Sequence, residues 1–190
     1  MPRIVIAEDE AIIRMDLREM LQEEGFDVVA EAADGRTAVE LVREHRPDLA
    51  MLDIKMPVMD GIRAAEMITR ERLSAVLILT AFSQRDLAAQ AVQAGAMAYL
   101  VKPFQKADLL PAIEVALGRF REMSALQEEV GELEDRLVSR KLVERAKGLL
   151  MEGGLSEDDA YRLMRSAAMD RGLKLEEVAR LVVEGRMGES

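Results

Sequence analysis

The first hundred-odd residues of this chain predict an α/β fold built on a doubly wound parallel sheet, and three observations predict it. Short apolar runs rich in β-formers alternate five times with amphipathic stretches. Four of those runs end in polar residues of distinct chemistry: Glu8-Asp9, Asp53, Thr80 and Lys102. From about residue 116 the strand pattern stops and only helical periodicity continues.

The elements follow in order. Strands are expected over 3–7, 27–32, 49–53, 75–80 and 98–101, with helices over 11–24, 36–45, 61–70, 84–94 and from 109 onward. Gly25 and Gly95 fall where helices end, and Asp34 and Ser83 suit helix N-caps. Further on, Met123, Leu126, Val130, Leu133 and Leu137 are spaced 3, 4, 3 and 4, an a/d seam flanked at g by Glu129 and Arg136. Such a stretch is either an amphipathic connector packing on its own chain or a self-associating helix. Helix continues over 140–151 and stops at Gly153-Gly154; Ser156, with Asp159 three residues on, opens another that ends at Gly172, and a last one covers 175–183. The expected division is 1–118, a connector at 119–138, and a three-helix unit at 139–190. The last is small for a core of its own and is expected to lean on the connector or a partner.

Composition narrows the function. The net charge of −10 is uneven: residues 1–115 carry −7 (13 Lys/Arg against 20 Asp/Glu), 116–138 carry −3, and 139–190 balance at zero. Acid therefore sits in the front, and only the tail can present a basic face. The absence of cysteine excludes disulfides and thiol catalysis. With no Trp and six other aromatics, a base-stacking platform is not expected. No run approaches the ~20 apolar residues of a membrane span. Met1-Pro2-Arg3 leads straight into a strand with no leader pattern, so a cytoplasmic location is expected. His45, at a helix end before Arg46-Pro47, lacks partners for catalysis, and the 13 methionines read as core filler.

The run from Met51 to Gly61 delivers one carboxylate, Asp53, to the carboxyl edge of the sheet, where ligands bind in such folds. A carboxylate there can attack a phosphoryl group in line, provided the charge on the transferring oxygens is neutralised. Glu8 and Asp9 can hold Mg²⁺ beside Asp53, with the backbone carbonyl of Lys55 as a further ligand. Lys102 is a point charge suited to the phosphoryl oxygens, Thr80 a hydroxyl donor, and Ala81 is small enough to let the group in. Lys102-Pro103 also invites a cis peptide.

These residues closely resemble the receiver domain of two-component response regulators. The resemblance implies a flavodoxin-like sheet of order 2-1-3-4-5 and a sensor histidine kinase as phosphodonor. It further implies that Glu8 and Asp9 are the metal-binding acids, Asp53 the phosphoacceptor, Thr80 the switch hydroxyl, Lys102 the phosphoryl lysine and Tyr99 the aromatic whose rotamer follows phosphorylation. A phosphoryl group adds roughly −1.5 to −2 charge, and the surface around the 84–94 helix, the 98–101 strand and the helix after it is expected to respond. No enzymatic output is expected beyond Mg²⁺-dependent self-phosphotransfer and autodephosphorylation.

In the tail, Leu142, Ala146, Leu149, Leu150, Ala160, Leu163, Met164, Ala167, Leu175, Val178, Ala179 and Val182 form inward stripes. Gly148, mid-helix, costs ~1 kcal/mol relative to Ala, which suggests a close approach or a ligand there. The order Arg145-Ala146-Lys147-Gly148-Leu149-Leu150-Met151, then Leu155-Ser156-Glu157 with Ala160-Tyr161, then Lys174-Leu175 with Val178-Ala179, resembles the ANTAR domain of transcription antiterminators. That resemblance implies binding of stem-loop RNA in nascent transcripts, with Arg145, Lys147, Gly148, Arg162, Arg165 and Lys174 as candidate contacts. Where some members carry a basic residue, this chain has Glu152-Gly153-Gly154, and no contact is expected there. Two stem-loops per site suit a homodimer joined through 123–137 and favoured by phosphorylation. The alternatives are a DNA-binding regulator, disfavoured by the acidic Glu176-Glu177 in the last helix, and a receiver-controlled adaptor that docks a protein.

Overall fold

The computed structural model describes residues 1–81 and 90–186, apart from the side chain at position 132. The Ser83 cap and most of the helix expected at 84–94 lie outside the described residues. The chain divides into two compact units, Met1–Ser124 and Ala125–Ser190.

The first unit is a five-stranded parallel sheet: β1 (Arg3–Ala7), β2 (Asp27–Ala32), β3 (Leu49–Asp53), β4 (Ala75–Ala81) and β5 (Ala98–Lys102), in the order β2-β1-β3-β4-β5. Helices α1 (Ala11–Glu23), α2 (Gly35–His45) and α3 (Gly61–Arg70) connect the strands, and helix α4 (Lys106–Glu152) follows β5. Alternation along the strands sorts side chains to two cores, because successive residues of a strand face opposite ways. Val5, Ala50, Leu52, Val76 and Ile78 pack with Val39 and Val42 of α2 and Ala65 and Ile68 of α3. Ile4, Ile6, Met51, Leu77 and Leu79 pack with Leu17 and Leu21 of α1 and Leu109, Ile113 and Leu117 of α4. Both faces of β3 are dry, which is why its sequence is apolar throughout rather than alternating.

Caps mark several boundaries. Asp34 accepts from the backbone N–H of Arg36 and Thr37 at 2.8 and 2.9 Å, satisfying two of the orphan donors that open α2. Asp60 does the same for α3 through Arg63 N–H at 2.7 Å. Helix α4 begins at Lys106, three residues before the apolar pattern expected from 109, because Asp108 caps the turn by accepting from Gln105 N–H at 2.9 Å.

The second unit packs the last turns of α4 against α5 (Glu157–Arg171) and α6 (Leu175–Val183). Its core is Ala146, Met164, Ala168, Val178, Ala179 and Val182, with Leu142, Val143 and Leu150 partly covered beside them. Ser156 caps α5 by accepting from Asp159 N–H at 3.2 Å, and Gly172 closes it in the left-handed conformation at φ 63°. The seam residues Leu126, Val130, Leu133 and Leu137 are not part of this core; each is exposed. No helix among the described residues is long and apolar enough to cross a membrane.

Candidate functional site

The carboxyl edge of the sheet gathers residues from four strands. β1 and β3 pair in register through Ala7 and Leu52, so the residues that follow, Glu8-Asp9 and Asp53, emerge side by side. Ligand oxygens of Glu8, Asp9 and Asp53 lie within 4.8 Å of one another. Three carboxylates that close repel unless a cation joins them. Lys102 answers that need in part: its ammonium sits 2.5 Å from Glu8 Oε2 and 2.6 Å from Asp53 Oδ1. Asp53 Oδ2 accepts from Lys55 N–H at 2.9 Å.

Burial sets the electrostatics. Glu8 is fully buried, and desolvation, opposed by the hydrogen bond from Lys102, holds its pKa above the ordinary carboxylate value. For Lys102 desolvation acts downward, but hydrogen bonds to Asp53 and Glu8 outweigh it and its pKa is raised. The cluster thus sets two buried carboxylates, Glu8 and Asp53, beside the exposed Asp9, with one lysine among three acids. Those are the conditions in which a hard divalent ion with oxygen ligands fits.

Thr80 is buried at the end of β4, where its hydroxyl donates to the Ala81 carbonyl at a long 3.4 Å. Ala81 stands in register with Lys102, and Thr80 with Val101. Tyr99 lies on β5 three residues before Lys102, with half its surface exposed. The Lys102-Pro103 peptide is cis. A cavity of about 710 Å³, lined by Asp9, Lys55, Met56, Asp60 and Arg63 among others, opens beside the carboxylates.

Two features of this edge were not singled out from the sequence. Arg14, one turn into α1, donates from Nη1 to the Glu8 carbonyl at 2.5 Å and pairs with Glu31 of β2 at 3.5 Å, tying down the loop that carries the acids. Its position six residues after Glu8 is the only signal the sequence held. Gly61 is the other: a Cβ there would stand 2.0 Å from the Asp53 carbonyl oxygen. Gly61 N–H donates to the Ile54 carbonyl at 2.9 Å, so the first turn of α3 lies directly on the backbone of the candidate acceptor. Gly35 supports the same loop from the other side, where a Cβ would meet the Met59 carbonyl oxygen at 2.5 Å.

In the second unit Arg145, Gly148, Arg162, Arg165 and Lys174 are all exposed. Lys147 is not. Its ammonium is shared by Glu157 at 2.7 Å and Glu144 at 3.0 Å, with only 11 % of its side chain accessible. The hydrogen bonds to Glu157 and then Glu144 raise its pKa, and Lys147 lowers that of Glu157. Arg162 is paired with Asp159 at 2.5 Å but lies largely in solvent.

A parallel 2-1-3-4-5 sheet whose carboxyl edge gathers three acids, two of them bridged by one lysine, defines a class, the receivers of response regulators. Family models agree: the response regulator receiver domain matches residues 4–114, and the ANTAR domain matches residues 131–183. The chain belongs to the response regulators, as a receiver–ANTAR transcriptional regulator. It is 57 % identical over 183 residues to the transcriptional regulatory protein PdtaR of Mycobacterium tuberculosis, covering 96 % of this chain and 89 % of that one. Among solved structures it is similar to the signal receiver domain of NarL from Mycobacterium tuberculosis, at 32 % identity and TM-score 0.59 over 62 % of this chain and 96 % of that one. It is also similar to the receiver domain of the sensor histidine kinase PA1611 from Pseudomonas aeruginosa, with a magnesium ion coordinated in its active-site cleft. That match has 30 % identity and TM-score 0.56 over 62 % of this chain and 98 % of that one.

Proposed function

We propose that Asp53 is the phosphoacceptor and that its phosphorylation by a sensor histidine kinase in the cytoplasm licenses RNA binding by the second unit. The observation that carries this reading is the Lys102 ammonium set between Asp53 and Glu8 in a cluster of three carboxylates. A carboxylate oxygen of Asp53 attacks phosphorus, an acyl-phosphate P–O bond forms, and the bond from phosphorus to the donor nitrogen breaks. Glu8, Asp9, Asp53 and the Lys55 carbonyl would hold Mg²⁺, which offsets charge on the transferring oxygens. Lys102 then exchanges a carboxylate partner for a phosphoryl oxygen, Thr80 donates its hydroxyl to another, and Ala81 leaves the path open. Tyr99 turns inward into the space Thr80 vacates. The protein is a phosphoacceptor whose chemistry is this self-phosphotransfer and the later hydrolysis of the acyl phosphate, in which water attacks phosphorus, the bond to Asp53 breaks and inorganic phosphate leaves.

For the output, Arg145, Arg162, Arg165 and Lys174 offer exposed cations and Gly148 an exposed stretch of backbone to a stem-loop. Lys147 joins them only if a phosphate displaces Glu157 or Glu144. We divide the chain functionally into a receiver at 1–118, a connector at 119–138 that pairs two copies through 123–137, and the RNA-binding unit at 139–190. Phosphorylation favours that pairing.

Incubation with a small acyl phosphate and Mg²⁺ tests the acceptor. Intact mass should rise by one phosphoryl group, and Asp53→Asn should abolish the gain. Undiminished labelling of Asp53→Asn would place the acceptor elsewhere.

A further inference from the structure

Helix α4 changes character twice along its length. Leu109, Ile113, Ala116 and Leu117 are buried in the core of the first unit. Leu142, Val143, Ala146 and Leu150 face the core of the second. Between them Leu126, Val130, Leu133 and Leu137 are 63, 54, 51 and 58 % exposed. Four large aliphatic side chains in one line exceed the scattered apolar residues of an ordinary surface.

We infer that this stripe pairs with the same stripe of a second copy of the chain, and that the two helices run antiparallel. The orientation deepens the self-association proposed above and rests on it; the flanking charges decide it. With Val130 and Leu137 at a and Leu126 and Leu133 at d, the g positions are Glu129 and Arg136 and the e positions are Gln127, Glu134 and Lys141. In a parallel pair each g faces the e five residues further on. Glu129 would then meet the partner's Glu134, and Arg136 the partner's Lys141. Both contacts join like charges, and two-fold symmetry makes each occur twice.

Antiparallel pairing removes all four repulsions. Val130 lies over the partner's Leu133 and Leu126 over the partner's Leu137, with the two-fold axis between positions 131 and 132. In that arrangement g faces g and e faces e. Glu129 meets the partner's Arg136, Arg136 meets the partner's Glu129, and Glu134 lies beside the partner's neutral Gln127. The apolar layers number four in either direction, so burial does not choose; charge does. The acids along the stripe, Glu128, Glu129, Glu134 and Asp135, also disfavour an anionic lipid surface as the occupant.

Charge reversal gives opposite signs for the two orientations. Arg136→Glu turns both cross-pairs of the antiparallel dimer into acid against acid, but gives a parallel dimer two new pairs with the partner's Lys141. Glu129→Arg behaves the same way, gaining the partner's Glu134 only in the parallel form. Sedimentation equilibrium of the full chain, with and without beryllofluoride and Mg²⁺, should show each variant weakening self-association by about tenfold, as two exposed pairs changing sign would produce. The double variant Glu129→Arg/Arg136→Glu should regain it.

Engineered cysteines give a second reading, since the chain has none of its own. In the antiparallel pair Leu126 lies about 16 Å along the axis from its own counterpart, beyond disulfide reach. Leu126→Cys should therefore resist oxidation to a dimer, while Leu126→Cys/Leu137→Cys should cross-link through unlike positions. Ready cross-linking of Leu126→Cys alone, or tighter association of either charge reversal, would overturn the orientation. A chain that stays monomeric with and without beryllofluoride would overturn the second copy as the occupant. RNA binding is read separately, so a monomer that binds RNA contradicts only this inference and a dimer that does not contradicts only the reading above.

Discussion

The carboxyl edge of the first unit and the basic faces of the second both gather charge, but in opposite ways. At the edge, Glu8 and Asp53 are buried and joined by Lys102, and backbone groups of Lys55 and Gly61 fix the loop around them. In the second unit Arg145, Arg165 and Lys174 stand in solvent, while the buried Lys147 is neutralised by two glutamates. The edge is organised before its ligand arrives, as covalent chemistry requires. The basic faces are left to be organised by theirs, as a polyanion allows.

Substitutions at the edge should therefore be severe and those on the basic faces graded. The largest expected effect is Lys102→Ala, which leaves buried Glu8 without its cation. Phosphotransfer should fall by at least 10²-fold in a rapid-quench assay, in line with losing one electrostatic contact to developing charge. Gly61→Ala comes next, because its Cβ would overlap the Asp53 carbonyl. Urea unfolding should show a loss of ~2–3 kcal/mol, accompanied by slower phosphotransfer.

Asp34→Ala probes the scaffold without touching the acids and should cost ~1 kcal/mol of stability. Its pH dependence has a definite sign. Hydrogen bonds from Thr37 and Arg36 lower the Asp34 pKa below 3.8, so its contribution is present above that value. It is lost as pH falls through the lower folded-state value. The difference in melting temperature between wild type and variant should hold at neutral pH and close in strong acid.

Val58, in the loop after Asp53, is a β-branched residue held at φ 64° and largely exposed. Val58→Gly should stabilise the chain by ~0.5–1 kcal/mol, the left-handed strain of ~1–2 kcal/mol less the extra entropy of glycine. A destabilised variant would show that the Val58 side chain contributes contacts outweighing that strain. The smallest effects belong to the basic faces. Arg165→Ala should lower the salt slope of RNA binding by about 0.7, as for one phosphate contact on a single strand. Lys147→Met should leave that slope unchanged unless a phosphate displaces its glutamates.

This contrast also explains what the sequence disclosed. The strands were legible because β3 and β4 are apolar runs that stop at charged or hydroxyl residues, and topology brings those ends together. Asp53, Glu8, Asp9 and Lys102 could thus be grouped before their distances were known. Gly61 was visible only as part of a motif; its reason, the carbonyl of Asp53 beneath it, needed coordinates. Arg14 was invisible because one partner is a backbone carbonyl, which leaves no pattern in the chain, and the other, Glu31, lies seventeen residues away on β2. Over 139–190, equal numbers of acids and bases concealed which cations are available. Glu157 lies ten residues from Lys147 and reaches it only because α5 turns back on α4.

The most direct test of the coupling between the two regions is a titration of a two-stem-loop RNA with the full chain, with and without beryllofluoride and Mg²⁺. The account predicts tight, salt-sensitive binding with the phosphoryl mimic and weak binding without it, and no response to the mimic in Asp53→Asn. Equal affinity in both states, or no binding in either, would contradict it.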